Sequence, residues 1–518
     1  MNIPQMIILI IYVLIMLGIG YWSMKKTKNI GDFFLGGRSL GPWMSAFAYG
    51  TTYFSAVLFI GYAGKLGWGF GIHTMWIVVG NTIVGTLLAW MVLAGRTREM
   101  TTKLNAITMP EFLAARYNSK ILQVLSAIVI FIFLVPYSAS VMMGLSYLFE
   151  MTLKLDYTMT VIFLTLLTGV YLVMGGYFAV AVSDFIRGII EFLGVMLMVY
   201  LLAGHVGGFS VATTKLMADP TMAPGLLKSV ILGTGPLSIT IPGWVTLFSL
   251  VLITSFGPWS LPQMVQKFYS IRSKMDIKRA MLIASIFALF MSFGAYYSGA
   301  LTHLYYSTGL PAELIGLYGQ PIFDKIMPHF ITTVGLPDVL VVIIVLMVFS
   351  ASMSSLSSLV LVSSSAIAVD VYGAFVDRHT NQKKTMSLMR ILCGVFVGLT
   401  LYIALIKPTF IVNLMVISWS TLAGVFLAPY IYGLFWRRTT LPGVFAGVFS
   451  GLACAIVLFM AWGSNGVPLA GAITMFLPMI VVPIVSLMTK PMAAEHIEKV
   501  FSKDETVAEA STGGFESI

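Results

Sequence analysis

Long apolar runs separated by short polar loops recur along almost the whole chain. Runs of about 18 or more apolar residues are typical of α-helices that cross a bilayer. The pattern therefore predicts an all-α polytopic membrane protein. Its thirteen predicted transmembrane helices lie at residues 4–24, 43–64, 69–95, 121–149, 157–176, 184–205, 240–262, 278–306, 337–366, 387–406, 409–436, 441–462 and 468–488.

The placement of basic residues predicts the orientation of these helices. When successive loops are assigned alternately to the two sides of the membrane, one side collects all but six of the 30 lysines and arginines. Arg187 and the 267–279 loop are counted on this basic side. The other side has Lys65, Lys154, Lys215, Lys228, Lys325 and Lys407. Because cytoplasmic loops are enriched in Lys and Arg, we expect a multi-pass protein of the plasma (inner) membrane with its N-terminus outside and its C-terminus in the cytoplasm.

Composition excludes several classes of function. Hydrophobic residues make up 58% and charged residues 10% of the 518 residues, which is incompatible with a soluble domain. The net charge of +10 belongs to the predicted cytoplasmic membrane face, so we expect the lipid bilayer and no nucleic acid as a partner. Cys393 and Cys454 fit neither a disulfide framework nor a metal cluster, and no nucleotide-binding or catalytic motif stands out. We therefore expect neither an enzyme nor an organic cofactor.

The domain organisation is simple. We expect one transmembrane domain over residues 1–490, with a core at about 43–436. Residues 491–518 are polar and mixed in charge, which predicts a cytoplasmic C-terminal tail. Within the tail, residues 495–501 fit a short amphipathic helix, and residues 506–518 are expected to be disordered.

Two predicted helices contain residues that disfavour a continuous helix near mid-membrane. The second has Gly50 and two β-branched threonines within Ala48–Ser55, and the seventh has two prolines within Ser255–Pro262. Carbonyls freed at membrane depth need a partner, which in transporters is often an ion or a solute at paired broken helices. The breaks lie five helices apart on oppositely directed helices, which indicates an inverted five-helix repeat, helices 2–6 and 7–11. An ordinary proline kink without a ligand is the alternative.

The ninth predicted helix carries six serine hydroxyls within Phe349–Ser358. Ser354, Ser357 and Ser358 share one helix face, bordered by Ser355 and Ala351. Hydroxyl and carbonyl oxygens are ligands that hard cations prefer, and polar groups this deep in a membrane are rarely accidental. Small residues also favour close helix packing in membranes. Both an ion site and simple packing therefore remain open from this segment alone.

Several short segments form a recognisable combination. They are Phe34–Pro42, Asn105–Phe112 with Arg116 and Tyr117, Gly175–Tyr177 with Ser183 and Asp184, Pro262–Phe268, Met353–Ser358, Ser363–Ala366 and Asp370–Tyr372. Together they resemble the sodium:solute symporter family, over about residues 5–490. The family includes carriers of proline, pantothenate, sugars, sialic acid and monocarboxylates. The resemblance implies a leucine-transporter-type core for the predicted repeat.

The resemblance implies a first sodium site between helices 2 and 9. Its ligands are the main-chain carbonyls of Thr51, Phe54 and Ala351 and the hydroxyls of Ser354 and Ser355. Some family members add a second sodium site, whose ligands here are Asp184, Ser354, Ser357 and Ser358. Asp184 has an alternative role, because it could cap the N-terminus of the sixth helix or pair with Arg187.

The solute cavity is expected beside the two broken segments. Its candidate lining residues are Tyr53, Ser55, Phe256, Trp259, Gln263 and Trp419. Aromatic rings close over a small solute and exclude water, and Ser55 and Gln263 offer hydrogen bonds. The alternative for any one of these rings is core packing or lipid contact. The proline carriers of the family have an acidic residue where this chain has Tyr53, so the sequence favours a pantothenate- or monocarboxylate-like solute.

These features predict a secondary active sodium:solute symporter that imports a small organic solute by alternating access. Sodium, the coupling ion, is expected to hold helix 2 against helix 9 and to form the cavity for the solute. Two alternatives remain. One is a proton-coupled carrier of the same fold that uses Asp184 or Glu191, and the other is a channel or membrane sensor.

Overall fold

The computed structural model describes residues 3–24, 38–234, 238–316, 319–375 and 382–502. Most of these residues are helical. The helices are α1 Ile3–Met24, α2 Pro42–Tyr53, α3 Ala63–Phe70, α4 Met75–Val79, α5 Gly95–Lys103, α6 Met109–Tyr117, α7 Lys120–Leu153, α8 Tyr157–His205, α9 Phe209–Ala218, α10 Pro224–Leu227, α11 Gly243–Phe256, α12 Pro262–Ser270, α13 Lys274–Tyr305, α14 Phe323–Thr333, α15 Asp338–Ser365, α16 Tyr372–Phe375, α17 Gln382–Ile406, α18 Ile411–Phe435, α19 Leu441–Met488 and α20 Ala494–Phe501.

Wider π-helical turns extend several of these helices. They are Val57–Tyr62, Gly80–Leu88, Trp90–Ala94 and Ala366–Val371. One antiparallel hairpin interrupts the helical pattern, with β1 (Ser229–Leu232) paired to β2 (Ile239–Pro242) so that Ser229 lies opposite Pro242. The predicted motif residues 34–37 and the tail residues 503–518 lie outside the described part of the chain.

Nine helical segments of the described residues are long and apolar enough to cross a membrane. This finding supports the predicted class, an integral membrane protein built from helices. The most apolar windows of α15 and α18 are 78% and 94% buried inside the protein, so these helices lie at its centre. The corresponding windows of α17 and α19 are only 33% and 28% buried, which suits helices that face lipid.

The described part of the chain does not confirm thirteen separate transmembrane helices. The predicted fifth and sixth helices form one continuous helix, α8, of 49 residues. At 1.5 Å per residue this helix is about 74 Å long, more than twice the hydrocarbon thickness of a bilayer. The two last predicted helices are separated within Leu441–Met488, because Gly463 between them has the non-helical angles φ 59°, ψ −161°. The number of membrane crossings therefore stays a prediction.

Both predicted interruptions are confirmed. Helix α2 ends at Tyr53, and Phe54 has the extended conformation φ −108°, ψ 120° before the chain turns helical again. Between α11 and α12 the chain forms a single 3₁₀ turn over Gly257–Trp259, and α12 starts only at Pro262. Proline at the first position of a helix is well tolerated because its missing amide would have no partner there. The second break therefore separates two half-helices of one candidate membrane span, Gly243–Ser270, which extends beyond the predicted end at residue 262.

The predicted tail helix is also present, as α20. The ring of Phe501 lies 4.9 Å from the guanidinium of Arg116 and 5.4 Å from those of Arg96 and Arg437. These cation–π contacts attach the described part of the tail to the basic end of the bundle.

Helices α3 and α13 approach each other closely enough for main-chain contact. An added Cβ on Gly299 would collide with the main chain of Ala63, and one on Gly67 would collide with Gly299. Only glycine permits so short a separation. Helix α13 therefore packs directly against α3, which follows the break after α2.

We expect the substitution Gly299→Ala to lower stability by about 1–3 kcal/mol, because the added methyl forces the two helices apart. The matched control is Gly394→Ala in α17, where an added Cβ meets no atom within 4 Å. Thermal unfolding of the purified protein in detergent measures the difference. Equal midpoints for the two variants would contradict the close contact.

Candidate functional site

The end of α2 presents main-chain oxygens to the interior of the protein. The amide of Phe54 donates to the Gly50 carbonyl (3.0 Å), after which the regular helical hydrogen bonding stops. The last carbonyls of a helix lack helical partners and carry the negative end of its dipole. Ser55 starts the next helical segment, since its hydroxyl oxygen accepts a hydrogen bond from the amide of Val57 (3.2 Å).

Serines of α15 lie against these oxygens. The hydroxyl of Ser355 donates towards the carbonyls of Thr51 (3.1 Å) and Thr52 (3.3 Å). The hydroxyl of Ser354 lies 2.8 Å from the hydroxyl of Thr51 and 2.5 Å from Oδ1 of Asp184 on α8. All of these side chains are buried. The break after α2, the serine face of α15 and the carboxylate of α8 therefore meet at one point.

This arrangement brings together three of the five residues predicted for the first sodium site, namely Thr51, Ser354 and Ser355. Phe54 lies in the extended break, and Ala351 lies one helical turn before Ser355 on the same face of α15. Both are buried. Carbonyl and hydroxyl oxygens at the negative end of a helix suit a small monovalent cation. The role of each oxygen as a ligand stays a prediction.

Ser357 and Ser358, which were predicted for a second sodium site, form hydrogen bonds with groups outside that site. The hydroxyl of Ser358 is 3.0 Å from that of Thr52 and 3.1 Å from Nζ of Lys267. Nζ of Lys267 is also 3.9 Å from Oδ2 of Asp184. The hydroxyl of Ser357 donates instead to the Met353 carbonyl of its own helix (2.6 Å).

The alternative roles of Asp184 are resolved in part. Since α8 runs without a break through residue 184, Asp184 does not cap a helix N-terminus. The ion pair with Arg187 is present, with 3.8 Å between Nη1 of Arg187 and Oδ1 of Asp184.

Arg187 and Lys267, which were counted with the cytoplasmic loops, lie on helices α8 and α12. Both side chains are fully buried. The prolines near Gly257 were a sequence signal for the burial of Lys267. They break the span at Gly257–Trp259, and the span then continues as α12, which contains Lys267. The continuous α8 likewise contains Arg187.

A small cavity adjoins the break after α2. It is lined by Tyr53, Phe54, Ser55, Val57, Leu58, Tyr62, Asn81, Thr254, Tyr296, Met415 and Trp419. Three of these, Tyr53, Ser55 and Trp419, were predicted to line the solute cavity. The rings of Tyr53 and Trp419 lie 5.9 Å apart, and the hydroxyl of Tyr53 donates to the Thr254 carbonyl at 2.5 Å.

Several polar atoms of this cavity lack a partner among the described residues. They are Nε1 of Trp419, the hydroxyl of Tyr62 and Oδ1 of Asn81, all buried. Native proteins rarely leave buried polar atoms unsatisfied, so such atoms point to a bound solute, ion or water. Tyr62 and Asn81 were missed from the sequence because neither lies in a broken segment.

The other predicted solute residues lie outside this cavity. Phe256 packs edge-on against Phe476 of α19 at 5.3 Å, and the indole N–H of Trp259 donates to the Val84 carbonyl at 2.9 Å. Gln263 is fully buried, and neither its amide nitrogen nor its oxygen has a hydrogen-bond partner in the described part of the chain. Gln263 therefore remains a candidate for a polar contact.

Comparison with known proteins decides the family. The family model described as "Sodium:solute symporter family" matches residues 33–451. The chain belongs to the sodium:solute symporter family. It is 30% identical to the high-affinity proline transporter PutP of Bacillus subtilis, over 87% of this chain and 90% of that protein. It is 29% identical to the osmoregulated proline transporter OpuE of the same organism, over 95% and 96% of the two chains. The sodium/proline symporter of Escherichia coli is 28% identical, over 88% and 87%.

Solved structures show the same fold. The chain superimposes on a Na⁺-coupled sialic acid symporter in its substrate-bound outward-open state with a TM-score of 0.75 and 18% identity, covering 95% of this chain and 98% of that chain. The closed form of MHP1, a nucleobase-cation-symport-1 family transporter, gives a TM-score of 0.53 at 13% identity, covering 91% and 99%. The predicted family and the predicted function, sodium-coupled import of a small solute by a membrane protein, are thereby confirmed.

The contact between α2 and α15 yields a direct prediction. We expect Ser355→Ala to raise the sodium concentration for half-maximal uptake about 10- to 100-fold. The substitution removes the hydroxyl that is a predicted sodium ligand and that lies against the α2 carbonyls. The matched control is Ser352→Ala, since the buried Ser352 hydroxyl bonds only the Val348 carbonyl of its own helix in the described contacts. Sodium titrations of solute uptake in proteoliposomes compare the two variants. An unchanged sodium dependence in Ser355→Ala would exclude this hydroxyl from the site.

Proposed function

We propose that this protein imports proline, or a similarly small amino acid with both charges, together with sodium. One observation carries the proposal. Phe54 and Ser55 belong both to the break after α2 and to the lining of the aromatic cavity. An ion held by the break and a solute held in the cavity are therefore neighbours, which is the arrangement that coupling requires.

The chemistry of the cavity favours an amino acid. The faces of Trp419, Tyr53 and Tyr62 attract an ammonium group and pack against a small hydrocarbon ring. Oδ1 of Asn81 can accept a hydrogen bond from that ammonium, and the indole N–H of Trp419 can donate one to a carboxylate. Pantothenate and simple monocarboxylates have no ammonium group for the aromatic faces to attract.

The names of the relatives support the same solute, since all three compared bacterial proteins are proline transporters. Tyr53 is a weaker argument against proline as the solute than the sequence suggested. Its hydroxyl donates to the Thr254 carbonyl, its ring lies 5.9 Å from that of Trp419, and it lines the cavity as an aromatic residue in place of a charged one. We infer that π faces and Asn81 replace the acidic residue in recognising an ammonium.

The proposed first sodium site has the carbonyls of Thr51, Phe54 and Ala351 and the hydroxyls of Ser354 and Ser355 as ligands. Sodium bound there neutralises the negative end of α2 and holds α2 against α15. Its loss on the other side of the membrane would loosen this contact and open the cavity. Each sodium charge that crosses contributes about 2.3 kcal/mol per 100 mV of membrane potential, in addition to its concentration gradient.

The proposed architecture is an inverted repeat of helices 2–6 and 7–11 within a domain of residues 1–490. The two confirmed breaks, after Tyr53 and after Phe256, support this repeat because they occur at its corresponding positions. The distribution of basic residues supports an outside N-terminus and a cytoplasmic tail.

Uptake of radiolabelled proline into proteoliposomes tests the proposal. An inward sodium gradient is expected to drive proline accumulation, and replacement of sodium by potassium is expected to abolish it. Excess unlabelled pantothenate or lactate should not compete. Proline uptake that persists without sodium, or that follows an imposed proton gradient alone, would contradict sodium coupling. Competition by pantothenate or lactate with no transport of proline would contradict the proposed solute.

Trp419→Phe tests the cavity itself. This variant keeps the aromatic face and removes the indole N–H, so we expect the KM for proline to rise about tenfold. The matched control is Trp90→Phe, because the buried indole nitrogen of Trp90 also lacks a partner among the described residues but does not line the cavity. Equal KM values for the two variants would place the solute elsewhere.

A further inference from the structure

The carboxylate of Asp184 has two cationic neighbours inside the protein. Nη1 of Arg187 lies 3.8 Å from Oδ1, and Nζ of Lys267 lies 3.9 Å from Oδ2. The same Nζ is 3.1 Å from the hydroxyl of Ser358. Lys267 therefore lies among the atoms that the family resemblance assigns to a second sodium ion.

Charge balance makes this lysine significant. The one carboxylate of Asp184 already has two fully buried cationic neighbours, Arg187 and Lys267. A sodium ion coordinated directly by Asp184 would place a third cation on this carboxylate in a region of low dielectric, which is unfavourable. An ammonium and a sodium ion carry the same charge, and an ammonium donates to up to three oxygens.

The position of Lys267 also follows from the break in its span. Helix α12 starts at Pro262, and one and a half turns later it carries Lys267 towards the serine face of α15 and the carboxylate of α8. The lysine thus ties α12, the half-helix after the second break, to the two helices that meet the first break.

We propose that the Lys267 ammonium is the resident counter-cation of Asp184 and takes the place of a second sodium, so that the protein binds one sodium ion. The inference rests on the proposed function only in requiring that the first site binds sodium. Asp184, Ser357 and Ser358 then have no sodium to bind, and Ser354 serves the first site alone.

Equilibrium binding of radioactive sodium to the purified full-length protein in nanodiscs, without solute, tests this inference. We expect one sodium per protein in the unaltered chain and again in Ser358→Ala. In Ser355→Ala we expect the sodium Kd to rise about 10- to 100-fold. In Lys267→Gln the charge is gone while the oxygens of Asp184 and Ser358 remain, so we expect two sodium ions per protein.

The outcomes separate the inference from the proposed function. Two sodium ions in the unaltered chain, falling to one in Ser358→Ala, would overturn the inference and leave sodium coupling intact. A stoichiometry of one in a folded Lys267→Gln variant would also overturn it. If Lys267→Gln does not fold, the comparison of the unaltered chain with Ser358→Ala still decides. No sodium binding in the unaltered chain would instead contradict the proposed first site.

Discussion

The carbonyl oxygens freed where α2 ends at Tyr53 are the constraint on which the rest of the structure depends. A main-chain oxygen at membrane depth must be satisfied from inside the protein, because lipid offers no hydrogen-bond donors. Here the donors come from the serines of α15, and Ser354 extends the contact to Asp184 on α8. The same oxygens are those of the proposed first sodium site, so in the proposed function one break serves both stability and coupling.

Buried charge imposes the second requirement. Asp184 is deep in the bundle, and such a carboxylate is tolerated only with partners of opposite charge. Arg187 on the same helix and Lys267 on α12 supply them. Because Lys267 reaches Asp184 only when α12 continues the interrupted span, the second break is as necessary for this balance as the first break is for the oxygen cluster. The two breaks are therefore connected through one carboxylate, and not only by their symmetric positions in the chain.

Much of this could be predicted from residues. The apolar runs predict a helical membrane protein, Gly50 with its neighbouring threonines and the prolines near Gly257 locate both breaks, and the serine face of α15 indicates where the oxygens gather. The errors have physical causes too. Hydropathy does not reveal whether the side chains of Arg187 and Lys267 are exposed or buried, because their burial depends on how α8 and α12 pack against the other helices. Asn81 and Tyr62 have no sequence signal, because only the packing of their helices beside the break brings them to the cavity.

The sequence by itself determined the class of protein, the positions of its breaks and its family, because these follow from local hydropathy, from backbone chemistry and from motifs that stand in order along the chain. Tertiary structure alone decided which oxygens meet, which of the predicted aromatic residues line the cavity, and that Lys267 faces Asp184 across a sequence separation of more than 80 residues. Contacts between distant helices depend on how the surfaces of whole helices fit together, and a local pattern of residues does not specify that fit.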